Sequence, residues 1–228
     1  MLRIIYDFNR SARFNMAADL YAVGCCSTIP GIIVRFYSWA PPAITLGYMQ
    51  DVASVLDMEE LARANIEWVR RPTGGRAVLH KGDFTYSCVF STGLAQMGTT
   101  IAQSYSLISE CLRTGLSSMG IATQAHDSEI DSGEVRRDIK LPCFVAPNRE
   151  EIMINGRKIV GSAQKRTDKA VLQHGSLPIT TECYDLPSFL RIPASDKSRH
   201  NELLRRKSIA LDEIRPGLDR QTVAQHLA

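Results

Sequence analysis

The segment Ile152-Met-Ile-Asn-Gly-Arg-Lys-Ile-Val160 places an Asn-Gly pair between two short apolar runs. Asn-Gly tolerates the positive φ angles of a tight two-residue turn, so the segment reads as a β-hairpin. In that hairpin Met153 faces Lys158, which puts the lysine on the more buried face. The competing reading is an exposed strand lysine. Upstream lies Leu141-Pro-Cys-Phe144, and the turn folds Lys158 back toward the segment carrying Cys143. A cation beside a thiol favours the thiolate, the nucleophilic form. The pair Cys143 and Lys158 therefore suggests covalent acyl transfer.

Strands and helices are mixed on either side of this hairpin. Leu2 to Tyr6, Gly31 to Tyr37, Ala43 to Tyr48 and Ala170 to Pro178 read as strands. Between them, Ile66 to Arg71 leads into the turn Pro72-Thr-Gly-Gly75, Arg76 to His80 runs on, and Phe84 to Phe90 returns after Lys81-Gly-Asp83. That succession predicts one tight local β unit. Asn15 is placed to cap a helix through Val23, and Asp57 to Ala64 is helical in composition. Thr100 to Met119 is the clearest helix, with Ile101, Tyr105, Ile108, Leu112, Leu116 and Met119 on one stripe and Gly120 after it. Residues 125–140 read as a polar loop, and the tail from Asn201 reads as helix broken at Pro216. Without a regular βαβ alternation the fold class is α+β.

Composition narrows the function classes. A net charge of +3 is too small to argue for nucleic acid, but leaves a mildly basic surface for acidic partners. The run Arg205-Arg-Lys207 reads as a solvated face. No stretch approaches the ~18 apolar residues of a membrane span. The N-terminus turns polar too early for a signal peptide, so a cytoplasmic location is expected. The six cysteines, Cys25, Cys26, Cys88, Cys111, Cys143 and Cys183, form no Cys-x-x-Cys pair, so neither zinc nor a disulfide framework is expected. Cys88 and Cys111 read as buried apolar residues.

Two more stretches carry candidate chemistry. Arg70-Arg-Pro-Thr-Gly-Gly-Arg-Ala-Val78 is a glycine turn among three arginines, with spacings that match neither the phosphate loop nor the dinucleotide fingerprint. It can present backbone N–H groups and guanidinium forks to an anion, or be an ordinary turn with solvated arginines. Leu172-Gln-His-Gly-Ser-Leu177 offers His174 as an acid, a base or a satisfied core histidine, and His80 stands in the same position. Val78, Phe84 and Tyr86 are candidates to wall an acyl slot or simply to pack.

Taken together these motifs resemble the lipoate/biotin protein ligase superfamily. Asn15-Met-Ala-Ala-Asp19 resembles its N-terminal helix motif, Arg70 through His80 its arginine-glycine loop, Lys158-Ile-Val-Gly-Ser-Ala163 its lysine motif, and Gln173-His-Gly-Ser-Leu177 the strand that follows. The resemblance implies a mixed, largely antiparallel sheet flanked by helices, in a single catalytic domain of the class II synthetase-like kind spanning 1–228, with no C-terminal accessory domain. Cys143-Phe144, Gln164 and Gln173 to Ser176 look like the cysteine-nucleophile octanoyltransferases.

That branch implies Cys143 as thioester nucleophile and Lys158 as the group that lowers its pKa. It implies Arg71, Thr73, Gly74, Gly75, Arg76, His80, Gly161, Ser162, Ala163 and His174 as substrate-binding residues, without metal or cofactor. The implied partners are octanoyl-acyl carrier protein and a lipoyl-domain acceptor such as glycine cleavage H protein or a dehydrogenase E2 subunit, with no nucleic acid and no membrane. The alternatives are an ATP-dependent ligase, which needs ATP and Mg, and a non-catalytic protein that kept the fold.

Overall fold

A computed structural model describes residues 1–125 and 151–228. Cys143, Phe144 and most of the expected polar loop lie outside the described residues. Strand β1 (Leu2–Arg10) leads into helix α1 (Ala12–Thr28). Ser11 at the junction caps α1, its hydroxyl accepting from the Phe14 N–H at 3.3 Å. The expected cap, Asn15, instead lies inside the helix and is fully buried. Its amide donates to the carbonyls of Arg10 and Ser38, and its Oδ1 accepts from Arg35 at 2.5 Å. The serine takes the cap because it stands where the extended chain enters the helix.

Next come β2 (Ile32–Trp39), β3 (Ala43–Leu46), the short helices α2 (Val52–Val55) and α3 (Met58–Arg63), β4 (Glu67–Arg70), β5 (Val78–His80) and β6 (Asp83–Ser91). The expected local β unit does not form. Strands β4 and β5 flank β3, β4 parallel to it and β5 antiparallel, making a small sheet ordered β4-β3-β5. Strand β6 leaves for a different sheet. The Pro72 to Gly75 turn therefore crosses over β3 rather than closing a hairpin.

The large sheet also takes β7 (Gln124–Ala125), β8 (Ile152–Ile154), β9 (Arg157–Arg166) and β10 (Ala170–Pro178), in the order β1-β2-β6-β10-β9-β8-β7. Among its described strands only β1 and β2 run parallel; every other described pair is antiparallel. The Asn155-Gly156 hairpin forms as the sequence indicates, with both residues at positive φ and Met153 opposite Lys158. Ala125, expected at the start of a loop, pairs with Ile152, and Gln124 before it pairs with Met153.

Alternation along β6 sends its residues to two faces. Phe84, Tyr86, Cys88 and Phe90 pack under helix α4 (Ile101–Ser118) and the C-terminal helix α6 (Arg220–Leu227). Helix α4 begins with a capping box between Thr100 and Gln103. Its stripe is buried at Ile108, Leu112 and Leu116, but Ile101 is 58% exposed, and Cys111 lies on the outer face rather than in the core. On the other face Val89, Ala170 and Leu172 meet Ala22 and Cys26 of α1. The small sheet stacks against that same side, where Met16, Tyr37, Trp39 and Ala43 form one cluster. Helix α5 (Ala194–Lys207) closes the far side of the small sheet through Leu204.

Candidate active site

Between the α1 face of the large sheet and the small sheet is a cavity open to solvent on one side. Met16, Tyr37, Trp39, Thr85, His174, Gly175 and Ser176 line it from α1 and the large sheet, and Thr45, Arg71, Val78 and His80 line it from the small-sheet side. Gly161, Ser162 and Ala163 of β9 complete the wall and are partly exposed, so the cavity opens along that strand. The strand that supplies the opening is the one that carries Lys158.

Two Asp–His–Thr chains brace the cavity. In the first, His174 Nδ1 lies 3.0 Å from Asp19 Oδ2 and its Nε2 lies 2.7 Å from the Thr73 hydroxyl. Asp19 also accepts from Tyr37, Ser87 and Arg35. Burial, and next the Asp19 carboxylate, push the Tyr37 phenol well above its ordinary range, so it stays a donor. In the second, His80 Nδ1 lies 2.7 Å from Asp83 Oδ2 and its Nε2 lies 3.0 Å from the Thr45 hydroxyl. Asp83 also accepts from Thr85 at 3.0 Å and Ser176 at 2.6 Å. Burial pushes the Asp83 carboxyl up, but the His80 charge and these hydrogen bonds outweigh it and hold the group below its usual value.

In both chains the polar atoms satisfy one another. Trp39 adds its indole N–H to Thr85 and stacks on His80 at 4.1 Å between ring centres. The wall therefore turns mainly carbon toward the cavity although many of its residues are polar.

Arg71 is 5% exposed, and its fork reaches Thr45 O and Oγ1, Gly74 O and Arg76 O. It binds the glycine turn to β3. Gly74 and Gly75 are exposed and, with Arg76, lie off the cavity wall. Gly75 has φ 94°, and its carbonyl lies so close to Gly47 that a Cβ there would come within 1.9 Å. Thr73 reaches the site through its bond to His174.

Of the residues named from the sequence, Arg71, His80, Gly161, Ser162, Ala163 and His174 come together around the cavity. Val78 is on the wall. Phe84 packs on Phe36 instead, and the Tyr86 hydroxyl bonds Ser162 and Gln173. Lys158 is 3% exposed and ion-paired with Glu151 across the hairpin. Sequence reasoning missed Asp19, Asp83, Thr45, Tyr37 and Trp39 as site residues. The available signal was polarity inside apolar strands, as with Thr45 in Ala43-Ile-Thr-Leu46.

None of the described cysteines lines the cavity. Burial pushes the Cys88 thiol up to about 12 and raises Cys26 and Cys183, which keeps these thiols protonated and inert. Among the described residues no group of three His, Cys, Asp or Glu side chains is arranged to hold a metal. No described helix is long and apolar enough to cross a membrane.

Residues 11–228 match the lipoyl protein ligase A/B catalytic domain family. The octanoyltransferase LipM of Anoxybacillus flavithermus is 36% identical over 219 residues, covering 93% of this chain and 78% of the relative. LipM of Bacillus subtilis is 34% identical over 221 residues, covering 93% and 78%. LipM of Kyrpidia tusciae is 39% identical over 203 residues, covering 86% and 72%. A crystal structure of lipoate-protein ligase A bound with ATP superposes with a TM-score of 0.74 at 20% identity, covering all of this chain and 83% of that one. A bipartite lipoate protein ligase from Thermoplasma acidophilum gives 0.73 at 20%, covering 99% and 80%. These structures share the mixed α+β architecture. The chain therefore belongs to the lipoyl protein ligase A/B catalytic domain family, and within it groups with octanoyltransferases.

Proposed function

We propose that this protein moves an octanoyl group from acyl carrier protein, through a thioester on Cys143, to a lysine of a lipoyl domain. The observation that carries the reading is the carbon-lined cavity opening along Gly161 to Ala163, on the strand that bears Lys158. An apolar acyl chain fits such a wall, because the wall's polar groups are already bonded to one another. The octanoyltransferases among its relatives give the chain its acyl group.

The chemistry proceeds in two exchanges. The Cys143 thiolate attacks the carrier's thioester carbonyl, a new C–S bond forms, and the carrier thiol leaves. The neutral amine of the acceptor lysine then attacks, a C–N bond forms, the Cys143 C–S bond breaks, and the amine's proton is released. Thioester replaces thioester in the first step and an amide forms in the second, so no ATP or metal enters. Lys158 supplies positive charge to the thiolate; Glu151, its partner, keeps that charge compensated while it is buried. The wall residues Arg71, His80, Gly161, Ser162, Ala163 and His174 bound the acyl chain. Thr73 acts through His174, and Gly74, Gly75 and Arg76 form the outer turn of the same loop. The acceptor class includes glycine cleavage H protein and dehydrogenase E2 subunits, and the chemistry belongs to the cytoplasm.

Intact-mass spectrometry after mixing with octanoyl carrier protein tests the reading. The expected result is one octanoyl adduct, absent in Cys143→Ala and discharged by a lipoyl domain. Transfer of free octanoate by Cys143→Ala in the presence of ATP and Mg would establish an ATP-dependent ligase instead. Failure to modify a lipoyl domain under either condition would leave a non-catalytic binding protein.

A further inference from the structure

Strand β9 has a strand on each side only as far as Val160, the residue paired with Ile152 of β8. Beyond it, among the described residues, Gly161, Ser162 and Ala163 have β10 alone beside them, at Ser176, Gly175 and His174. That stretch is the mouth of the cavity. Glycine has no side chain and alanine only a methyl group, so Ser162 is the one residue of the three whose side chain can hydrogen-bond. Its hydroxyl lies 2.7 Å from that of Tyr86, on β6, the strand beyond β10. Gly175 stands opposite both residues. A Cβ there would come within 2.6 Å of the Tyr86 ring and 2.8 Å of the Ser162 oxygen. The missing side chain is what lets the tyrosine reach across β10.

The direction of this hydrogen bond is set from behind. Gln164 donates to the side-chain oxygen of Gln173 at 2.9 Å, which leaves the Gln173 NH2 to donate to the Tyr86 oxygen at 3.0 Å. The tyrosine's own proton therefore goes to Ser162. Burial pushes the Tyr86 phenol up to about 12, so it keeps that proton to donate. Gln164 also donates to Ser104 of α4 at 3.2 Å. Gln173 and Ser104 are fully buried, where each bond of such a chain polarises the next.

We infer that Tyr86 is a positioning residue for acyl-chain length: oriented by Gln164 and Gln173 and acting through Ser162, it fixes the mouth strand and so the depth of the cavity behind it. The inference rests on the proposed acyl transfer. The carrier-linked end of the acyl group stays at the mouth while its apolar chain fills the cavity. Chain length is then measured from the mouth inward, and a mouth free to shift accepts a wider range of lengths.

Tyr86→Phe keeps the ring and removes the anchor. Offered an equal mixture of octanoyl and dodecanoyl carrier protein, the parent protein should take mostly octanoyl, read by intact mass. The ratio should fall about fivefold in the variant, the scale of one lost hydrogen bond. Ser162→Ala should give the same fall and the double variant no further one, because both changes remove a single bond. Leu112→Ala, which weakens the core beneath α4 without touching the chain of hydrogen bonds, should keep the parent ratio. A Tyr86→Phe variant that unfolds at lower urea but keeps the parent ratio would overturn the inference, as would effects that multiply in the double variant. Hydrogen exchange tests the anchor without an acyl group: the amides of Gly161 to Ala163 should exchange faster in Tyr86→Phe. A parent protein that takes no acyl group, with that faster exchange present, would refute the acyl-transfer reading and leave the anchor standing.

Discussion

Asp19 of the first helix and His174 of β10 stand 3.0 Å apart, and the imidazole carries that contact onward to Thr73. A single line of hydrogen bonds thus connects α1, the large sheet and the glycine turn. The buried carboxylate is also the acceptor for Tyr37, Ser87 and Arg35.

Asp19→Ala leaves those donors without their acceptor in a dry interior. The expected cost is about 3–5 kcal/mol in urea unfolding, the range for breaking one side of a buried charged network. Asp19→Asn keeps the shape but offers His174 a weaker acceptor. It should unfold at lower urea than the parent and higher than Asp19→Ala.

Asp83 makes stability depend on acid. Its carboxyl is held below its ordinary 3.8, so its contribution is complete above that value and is lost as pH falls through the lower folded value. Asp83→Asn should be less stable than the parent at pH 7, by about 2–4 kcal/mol. The gap should narrow only below the ordinary carboxylate range, which urea titrations across pH 2–7 would show. A gap that closes already near pH 6 would contradict the depressed value.

Gly175 faces a crowded place. A Cβ there would meet the Tyr86 ring at 2.6 Å and both Gly161 O and Ser162 Oγ at 2.8 Å. Gly175→Ala must therefore push β9 away from β10, where the cavity opens. The expected outcome is a loss of about 1–3 kcal/mol in stability and slower octanoyl adduct formation, followed by intact mass.

Lys158→Met removes one half of a buried ion pair and strands Glu151. Stability should fall by about 3–5 kcal/mol, and the pH at which Cys143 reacts with iodoacetamide should rise by about one unit or more. Lys158→Arg, which keeps the charge, should restore most of the reactivity. An unchanged alkylation profile in Lys158→Met would remove the lysine from the thiol's surroundings.

The hairpin at Asn155-Gly156 was legible because its register is a local property: the turn fixes Met153 opposite Lys158. Helix α4 was legible for the same reason, through its helical stripe. The path from Ile66 to Phe90 was not. Short runs separated by turns suggest neighbours in space, yet β4 and β5 both pair with β3, an earlier strand, and β6 joins another sheet. Non-local pairing of that kind leaves no local period.

The site was legible in part. Arg71, His80, His174 and Gly161 to Ala163 sit in conspicuous motifs. Asp19 and Asp83 matter through partners far along the chain, and spacing alone does not expose such contacts. Asn15 shows the converse: its side chain suits a cap, but the interior uses its amide to accept from Arg35 and donate to Ser38.

The cavity is a seam between two sheets, and it is sewn by directional bonds through His80 and His174. The apolar mass that supports the fold lies mostly elsewhere, under α4 and α6, where Leu116 is fully buried. Bore and ballast thus lie on opposite faces of the large sheet, joined where the Tyr86 hydroxyl bonds Ser162. Truncations beneath α4 away from that contact, such as Leu112→Ala, should lower the protein's melting temperature while the choice of acyl chain stays fixed.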